Sequence, residues 1–189
     1  MSANQLHAVP VRYDRQLGPD EIARGYHRDF VGGHWEELGL LQLSFLKSRG
    51  LKPEHKLLDV GCGCLRGGLP IIRYLERGRY AGIDQNASLI EAAQHELGLA
   101  GLDARCPRLL VDDAFRVERF GMRFDFALAH SLFTHLPAPL IELCLQRVAD
   151  VLEPGGLFYA SYFPVADAHA GGPVSRVDGI VTHDDEDPF

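Results

Sequence analysis

The chain lacks the features that would direct it to a membrane, to the cell exterior or to nucleic acid. Nowhere in its 189 residues does an apolar run approach the length of a membrane span. Residues 1–16 are polar and contain no apolar h-region, so no secretory signal is read there. Cysteine is scarce: there are four, two of them in Cys62-x-Cys64, which is no framework for a secreted disulfide domain. Without a second cysteine pair near Cys62 and Cys64, no metal site is expected; small thiols there serve as apolar filling. Excess positive charge is also missing. The net charge is −7, and setting aside the tail Asp184-Asp185-Glu186-Asp187 leaves −3 for the rest. That balance argues against broad binding to nucleic acid or anionic lipid. There is no internal repeat and no low-complexity block. The expectation is a reduced, cytoplasmic protein with no nucleic-acid or membrane partner.

What the chain does have is an ordinary globular composition, 46% apolar and 24% charged, at a length sufficient for one domain with a core. Residues 1–16 read as a flexible leader. Pro19-Asp20-Glu21 opens a helix expected to reach Phe30 or Val31, with Gly32-Gly33 as its stop. A second helix is expected from His34 to Ser48, where Trp35, Leu38, Leu41, Phe45 and Leu46 fall near a helical period. Strands are expected at 57–60, 80–84, 109–111, 124–129 and 157–163. Between them lie helices at about 68–76, at 87–97 with Asn86 as cap, and at 137–152. Strands alternating with helices imply an α/β, Rossmann-like, doubly wound and mostly parallel sheet preceded by N-terminal helices. The domain is expected over 17–163, with a helical part at 17–50 and a sheet core at 57–163. A Gly/Pro/Asp-rich tail fills 164–189, with Val177–Val181 as its one strand-like piece.

The chemistry concentrates in Leu57-Leu58-Asp59-Val60-Gly61-Cys62-Gly63-Cys64-Leu65-Arg66-Gly67-Gly68. An apolar strand breaks here into a glycine turn and then starts a helix. Gly61 and Gly63 give the backbone freedom to let a ligand come close. Such a turn, at the carboxyl end of the first strand of an α/β sheet, is where nucleotide-like ligands sit. The order Asp-x-Gly-x-Gly differs from the dinucleotide order Gly-x-Gly-x-x-Gly. A carboxylate two residues before the first glycine suits a ligand bringing a charged amine better than a pyrophosphate. The second strand ends in Asp84, some twenty residues on, and a carboxylate there can accept both hydroxyls of a ribose. The third strand ends in Asp112-Asp113. The fourth ends in His130-Ser131-Leu132-Phe133-Thr134-His135-Leu136.

Taken together these residues resemble the class I S-adenosylmethionine-dependent methyltransferases. Asp59-Val60-Gly61-Cys62-Gly63 is similar to the family's first motif, and Gly82-Ile83-Asp84 to its ribose motif. Val111-Asp112-Asp113-Ala114 is similar to the adenine-side motif. Phe124-Asp125-Phe126-Ala127-Leu128-Ala129-His130-Ser131 resembles the fourth-strand motif, and Leu152-Glu153-Pro154-Gly155-Gly156 the turn before the fifth strand. One glycine turn alone is weak; five motifs in order, each at a strand edge, are specific. The resemblance implies S-adenosyl-L-methionine as cofactor, held by Asp59, Gly61, Gly63, Arg66, Asp84, Asp113, His130 and Ser131. Of the two acidic residues after the third strand, Asp113 is favoured for the adenine amine, leaving Asp112 as a solvated loop carboxylate. Leu65-Arg66 stands where a third glycine often occurs, and Arg66 is a candidate partner for the methionine carboxylate. His130 and Ser131 are expected near the sulfonium. The 34–48 helix, with Trp35, is expected to pack near the glycine turn and restrict access to the cofactor.

The implied reaction is methyl transfer by proximity and orientation, with no metal required. A base helps only where the acceptor must lose a proton. His135 is the candidate here, against the reading of a structural histidine bonded to backbone. The Asn/Asp-Pro-Pro-Tyr motif of nucleobase amino-methylation is absent after the fourth strand, where His130-Ser131 stands instead. A small-molecule methyl acceptor is therefore expected first and a protein side chain second. Two rivals remain: a nicotinamide-dependent oxidoreductase, disfavoured by the turn spacing and the absence of a Tyr-x-x-x-Lys pair, and a non-catalytic or truncated cofactor-binding module. The second arises because family members usually continue beyond a fifth strand, whereas only 164–189 follow here. The expectation is an incomplete C-terminal end, weak cofactor binding and poor turnover. An open sheet edge would then be available for oligomer formation.

Overall fold

A computed structural model of the chain describes residues 15–162, Val174–Ser175 and Val181–Thr182. Most of the expected leader and tail therefore lies outside the described residues. In the helical part at 17–50, the helical leader, the first expected helix is in fact two, α1 (Pro19–Ala23) and α2 (Tyr26–Phe30). Gly25 separates them at φ 80, a left-handed conformation that ends one helix and re-aims the next. α3 spans Trp35–Ser48, as expected.

The sheet comprises β1 (Leu57–Val60), β2 (Tyr80–Asp84), β3 (Arg108–Val111), β4 (Phe124–Ala129) and β5 (Leu152–Ala160), all parallel, in the order β3-β2-β1-β4-β5. Three helices connect these strands: α4 (Gly68–Tyr74), α5 (Ala87–Ala100) and α6 (Ala138–Val151). The Asn86 side chain caps α5 by accepting from the amides of Ser88 and Leu89. Gly101, at φ 64, ends that helix three residues later than the periodicity predicts. β5 begins before Pro154-Gly155-Gly156 rather than after it, because the strand absorbs the turn as an irregularity opposite Phe124–Phe126. Phe163 lies outside the described residues. The tail's described strands are β6 (Val174–Ser175) and β7 (Val181–Thr182), an antiparallel pair in place of the one strand expected at 177–181.

β1 is central and wholly buried, and its side chains alternate between two cores. Leu57 faces Leu46, Leu65, Ile71, Ile72 and Tyr80, under α3, α4 and α5. Leu58 and Val60 face Ile83, Phe124, Ala127, Cys144 and Val148, under α6. The strand order reverses between β1 and β4, so the carboxyl ends of these strands open onto a crevice, the usual ligand position in such sheets.

The leader is pinned to this body by polar contacts. Glu96 of α5 accepts from Arg28 Nε (2.6 Å), Arg28 Nη2 (2.7 Å) and His27 Nε2 (2.7 Å). The Leu17 amide donates to Ser88 Oγ and the Asn86 side chain to the Arg15 carbonyl.

Candidate functional site

Beyond β1 the chain does not turn away at once. The amides of Gly61 and Cys62 donate to the Ile83 carbonyl at 2.8 and 3.1 Å, extending the β1–β2 seam into the turn. Gly61 sits at φ 73, a conformation that favours glycine, and a Cβ there would press on Leu132, lying 3.0 Å from its Cδ1. Leu65 also adopts a left-handed φ of 72 while fully buried. Leu65, standing where a third glycine often occurs, thus keeps a glycine-like backbone and spends its side chain on the core.

Around this turn the strand ends enclose a cavity of about 630 Å³. All the site residues nominated from the sequence line it: Asp59, Gly61, Gly63, Arg66, Asp84, Asp113, His130, Ser131 and His135. Asp59 is buried and accepts from the Tyr80 hydroxyl at 2.6 Å. Burial pushes its carboxyl up to about 6; the Tyr80 hydrogen bond opposes that rise and the nearby Asp84 adds to it. Asp84 Oδ2 accepts from the Gly63 amide (2.9 Å) and Oδ1 from the Asn86 amide (2.8 Å). Burial raises this carboxyl too, against those backbone donors. Each oxygen keeps acceptor capacity, so the carboxylate is pre-oriented with room for two hydroxyl donors.

The expectation for the third strand end needs correcting. Asp112 is no solvated loop carboxylate: it is buried, and its oxygens accept from the amides of Ala114 and Arg116 and from the guanidinium groups of Arg116 (2.7 Å) and Arg119 (3.0 Å). Burial by itself would raise its pKa, but these donors more than offset it and hold the carboxyl below its ordinary value. Asp112 is a brace for the loop. Asp113 is the exposed member of the pair, on the cavity wall. Cys62 and Cys64 are buried, with Sγ of Cys62 against Gly82 and Sγ of Cys64 on the His27 carbonyl; burial pushes the Cys64 thiol up to about 12.

From the end of the glycine turn, Arg66 Nη1 donates to the carbonyls of Val31 (2.8 Å) and Gly33 (3.1 Å), tying the turn to the leader. Among the cavity-lining residues Arg66 carries the one permanent positive charge. His130 is held below the ordinary histidine value by burial and by the Arg66 charge. Ser131, at φ 57, lies 3.3 Å (Oγ) from His130 Nδ1, and its amide donates to Ser161 Oγ at 2.7 Å. His135 closes the short 3-10 turn Phe133–His135 and lines the cavity. Trp35 does not line the cavity. It packs against the core that includes Cys64, beneath Arg28, whose guanidinium carbon lies 4.8 Å from the ring centre. The leader reaches the cavity through Val31 and Gln42 instead, and Gln42 escaped the sequence reading. The available signal was Gly39, a mid-helix glycine one turn earlier that marks close backbone approach.

Comparison with known proteins places this geometry. A family model described as a methyltransferase domain matches residues 58–158. The chain is 34% identical over 137 residues to 24-methylenesterol C-methyltransferase 2 of Oryza sativa subsp. japonica, covering 72% of this chain and 34% of that protein. It is 28% identical over 167 residues to the fatty-acid O-methyltransferase of Mycolicibacterium smegmatis, covering 82% of this chain and 58% of that one. Among solved structures, the glycopeptide N-methyltransferase MtfA complexed with S-adenosyl-L-methionine superposes with a TM-score of 0.57 at 21% identity, over 73% of this chain and 59% of that one. The chain thus spans a third to three fifths of the length of these relatives.

Proposed function

The chain belongs to the methyltransferase-domain family, and from that premise we propose that it transfers a methyl group from S-adenosyl-L-methionine to a small-molecule acceptor. The observation that carries this reading is convergence: a glycine turn and the acidic ends of three successive strands open onto one cavity large enough for a nucleoside-sized ligand. The lining fits that cofactor. Gly61 leaves no Cβ in the approach path, Asp84 presents pre-oriented acceptors for a ribose diol, and Asp113 presents one for an adenine amine. Asp59 offers a buried counter-charge for an ammonium and Arg66 one for a carboxylate. When bound, the cofactor supplies an electrophilic methyl on a sulfonium, so the protein's task is to orient and exclude water.

The residues after β4, Leu132 and Leu136 with His130, Ser131 and His135, also line the cavity and would face the acceptor. Apolar walls with a few polar groups suit a largely apolar small molecule bearing one nucleophilic atom. The sterol and fatty-acid methyltransferases among the relatives, by their names, act on molecules of that kind. His130, held below the ordinary histidine value, remains a neutral imidazole near pH 7 and can accept a proton from a hydroxyl or carboxyl acceptor. The four described cysteines are free, which fits a reduced, cytoplasmic setting. No described helix is long and apolar enough to cross a membrane. The acidic charge balance disfavours a nucleic-acid substrate. Among the described residues β5 is an edge strand, a surface on which a second chain can pair.

Calorimetric titration with S-adenosyl-L-methionine, S-adenosylhomocysteine and a nicotinamide dinucleotide tests the reading, followed by a labelled-methyl screen of apolar acceptors. Binding of the first two and not the third, with label transferred to an acceptor, is the expected result. Preference for the nicotinamide cofactor would reverse the assignment.

A further inference from the structure

Gln42 is a polar cavity-lining side chain to which the site chemistry so far gives no role. It lies in the middle of α3, is 7% exposed, and lines the cavity. Its amide makes no hydrogen bond to any described residue. A polar amide set on the cavity wall by the middle of a packed helix needs a reason for its place.

Two glycines make that place. A Cβ on Gly39, one turn before Gln42, would lie 2.5 Å from the Arg66 carbonyl oxygen; the bare glycine lets α3 approach the turn. A Cβ on Gly67 would lie 2.1 Å from Gln42 Oε1, so the missing side chain there is the space that the amide occupies. Gly67 has φ −80, an ordinary conformation, so the turn itself does not call for glycine at that position. The vacancy serves Gln42.

The cavity lining carries both signs of charge. Asp59, Asp84, Asp112 and Asp113 stand at the ends of β1, β2 and β3, while Arg66, adjacent to Gly67, holds the only permanent positive charge among the described lining residues. A zwitterionic amino-acid group set in such a field turns its ammonium to the acidic strand ends and its carboxylate to the Arg66 wall. Gln42 is on that wall, and its NH2 can donate to a carboxylate without adding charge.

We propose that Gln42 is a positioning residue for the cofactor, donating a hydrogen bond to the carboxylate of its amino-acid end, with Gly67 kept small to admit it. This rests on the methyltransferase reading and deepens it. The consequence is orientation: anchoring the carboxylate fixes the methionine arm from which the methyl departs.

The test compares two ligands that differ only in that carboxylate, S-adenosyl-L-methionine and decarboxylated S-adenosylmethionine, by calorimetry on the full chain. Gln42→Leu, which keeps bulk and removes the donor, should weaken S-adenosyl-L-methionine about tenfold or more, the scale of a lost charge-assisted hydrogen bond. It should leave the decarboxylated ligand within about twofold. Gly67→Ala, which displaces the amide, should reproduce the selective loss, and the two substitutions together should lose little more than either alone. Equal weakening of both ligands, or an unchanged ratio, overturns the role of Gln42 while leaving the methyltransferase reading intact. A wild-type protein that binds neither ligand overturns both. Circular dichroism and thermal melts on each variant separate loss of binding from loss of fold.

Discussion

Asp59 stands in an environment that works against its own charge. The unfolded chain titrates an aspartate near about 3.9, whereas burial holds the folded group at about 6. The native state therefore keeps its proton more tightly, and the apoprotein gains stability as pH falls from 6 towards 4. Above pH 6 the ionised, buried carboxylate costs about 3 kcal/mol relative to its unfolded ionisation. A cationic amine placed beside it reverses the balance by favouring the charged form. Cofactor affinity should then fall below pH 6, approaching about tenfold per pH unit. Calorimetry at pH 5 and pH 7, in buffers of different ionisation enthalpy, should register proton release at pH 5 only. Asp84 is also raised by burial, so Asp59→Asn assigns the effect: the variant should lose the Asp59 share of this dependence. Affinity flat from pH 5 to 7 in the wild type would remove Asp59 from the ammonium's side. Asp84→Ala should weaken the cofactor by about 1–3 kcal/mol, the scale of lost charged hydrogen bonds. It also strips acceptors from the Gly63 and Asn86 amides, so a melting curve must accompany the titration. Unchanged affinity would put the ribose elsewhere.

Between elements, one tight junction is where β2 packs against the glycine turn. A Cβ on Gly82 would lie 2.8 Å from Cys62 Sγ, 3.0 Å from Cys62 Cβ and 3.1 Å from Leu109 Cδ2. Gly82→Ala should destabilise the fold by about 1–3 kcal/mol through overpacking, read as a lower urea midpoint. Cys62→Ala, by removing the sulfur, should recover part of that loss; strictly additive effects would show that Cys62 is not the obstacle. Such junctions explain what the sequence could disclose. β1, β2 and β4 were legible because buried parallel strands are short apolar runs, and their acidic or polar ends mark where the sheet meets the crevice. Asp59, Asp84 and His130 each announce themselves by following such a run. The break at Gly25 was not legible, since a glycine inside a helical pattern is tolerated or fatal depending on what the next helix must reach. Asp112 and Asp113 could not be told apart in burial, because the braces on Asp112 come from Arg116 and Arg119 through a loop conformation that no local pattern encodes. Gln42 was hidden for a similar reason: its significance lies in a gap left by Gly67, 25 positions away in sequence.

For the molecule as a whole, the leader and the sheet body meet at several places, among them the Glu96 cluster, the Arg66 bridge and the contacts of Arg15 and Leu17 with Asn86 and Ser88, and the cavity lies between leader and strand ends. Val31 and Gln42 bring the leader's side of the wall. Undocking the leader would open the cavity, so leader docking and cofactor binding are thermodynamically linked. Glu96 is the group through which to test the linkage. It is almost wholly buried, and burial would raise its pKa, but Arg28 and His27 overcome that and hold it below the ordinary value. A lowered folded pKa means that Glu96 contributes stability above the unfolded value of about 4.3 and loses it as pH falls through the folded value. Arg28 is 42% exposed, which discounts the pair, so Glu96→Ala should cost about 2 kcal/mol near neutral pH rather than the full figure for a dry ion pair. The cost should shrink under acid conditions, where the wild-type carboxyl is protonated. Cofactor binding should also raise the melting temperature less in the variant at equal ligand concentration, because part of the binding free energy goes into redocking the leader. Thermal unfolding of both proteins from pH 3.5 to 7, with and without S-adenosylhomocysteine, reads both effects. A cost independent of pH would deny the carboxylate its role in the clamp. An identical ligand-induced shift in the two proteins would show that the cavity closes without help from the leader.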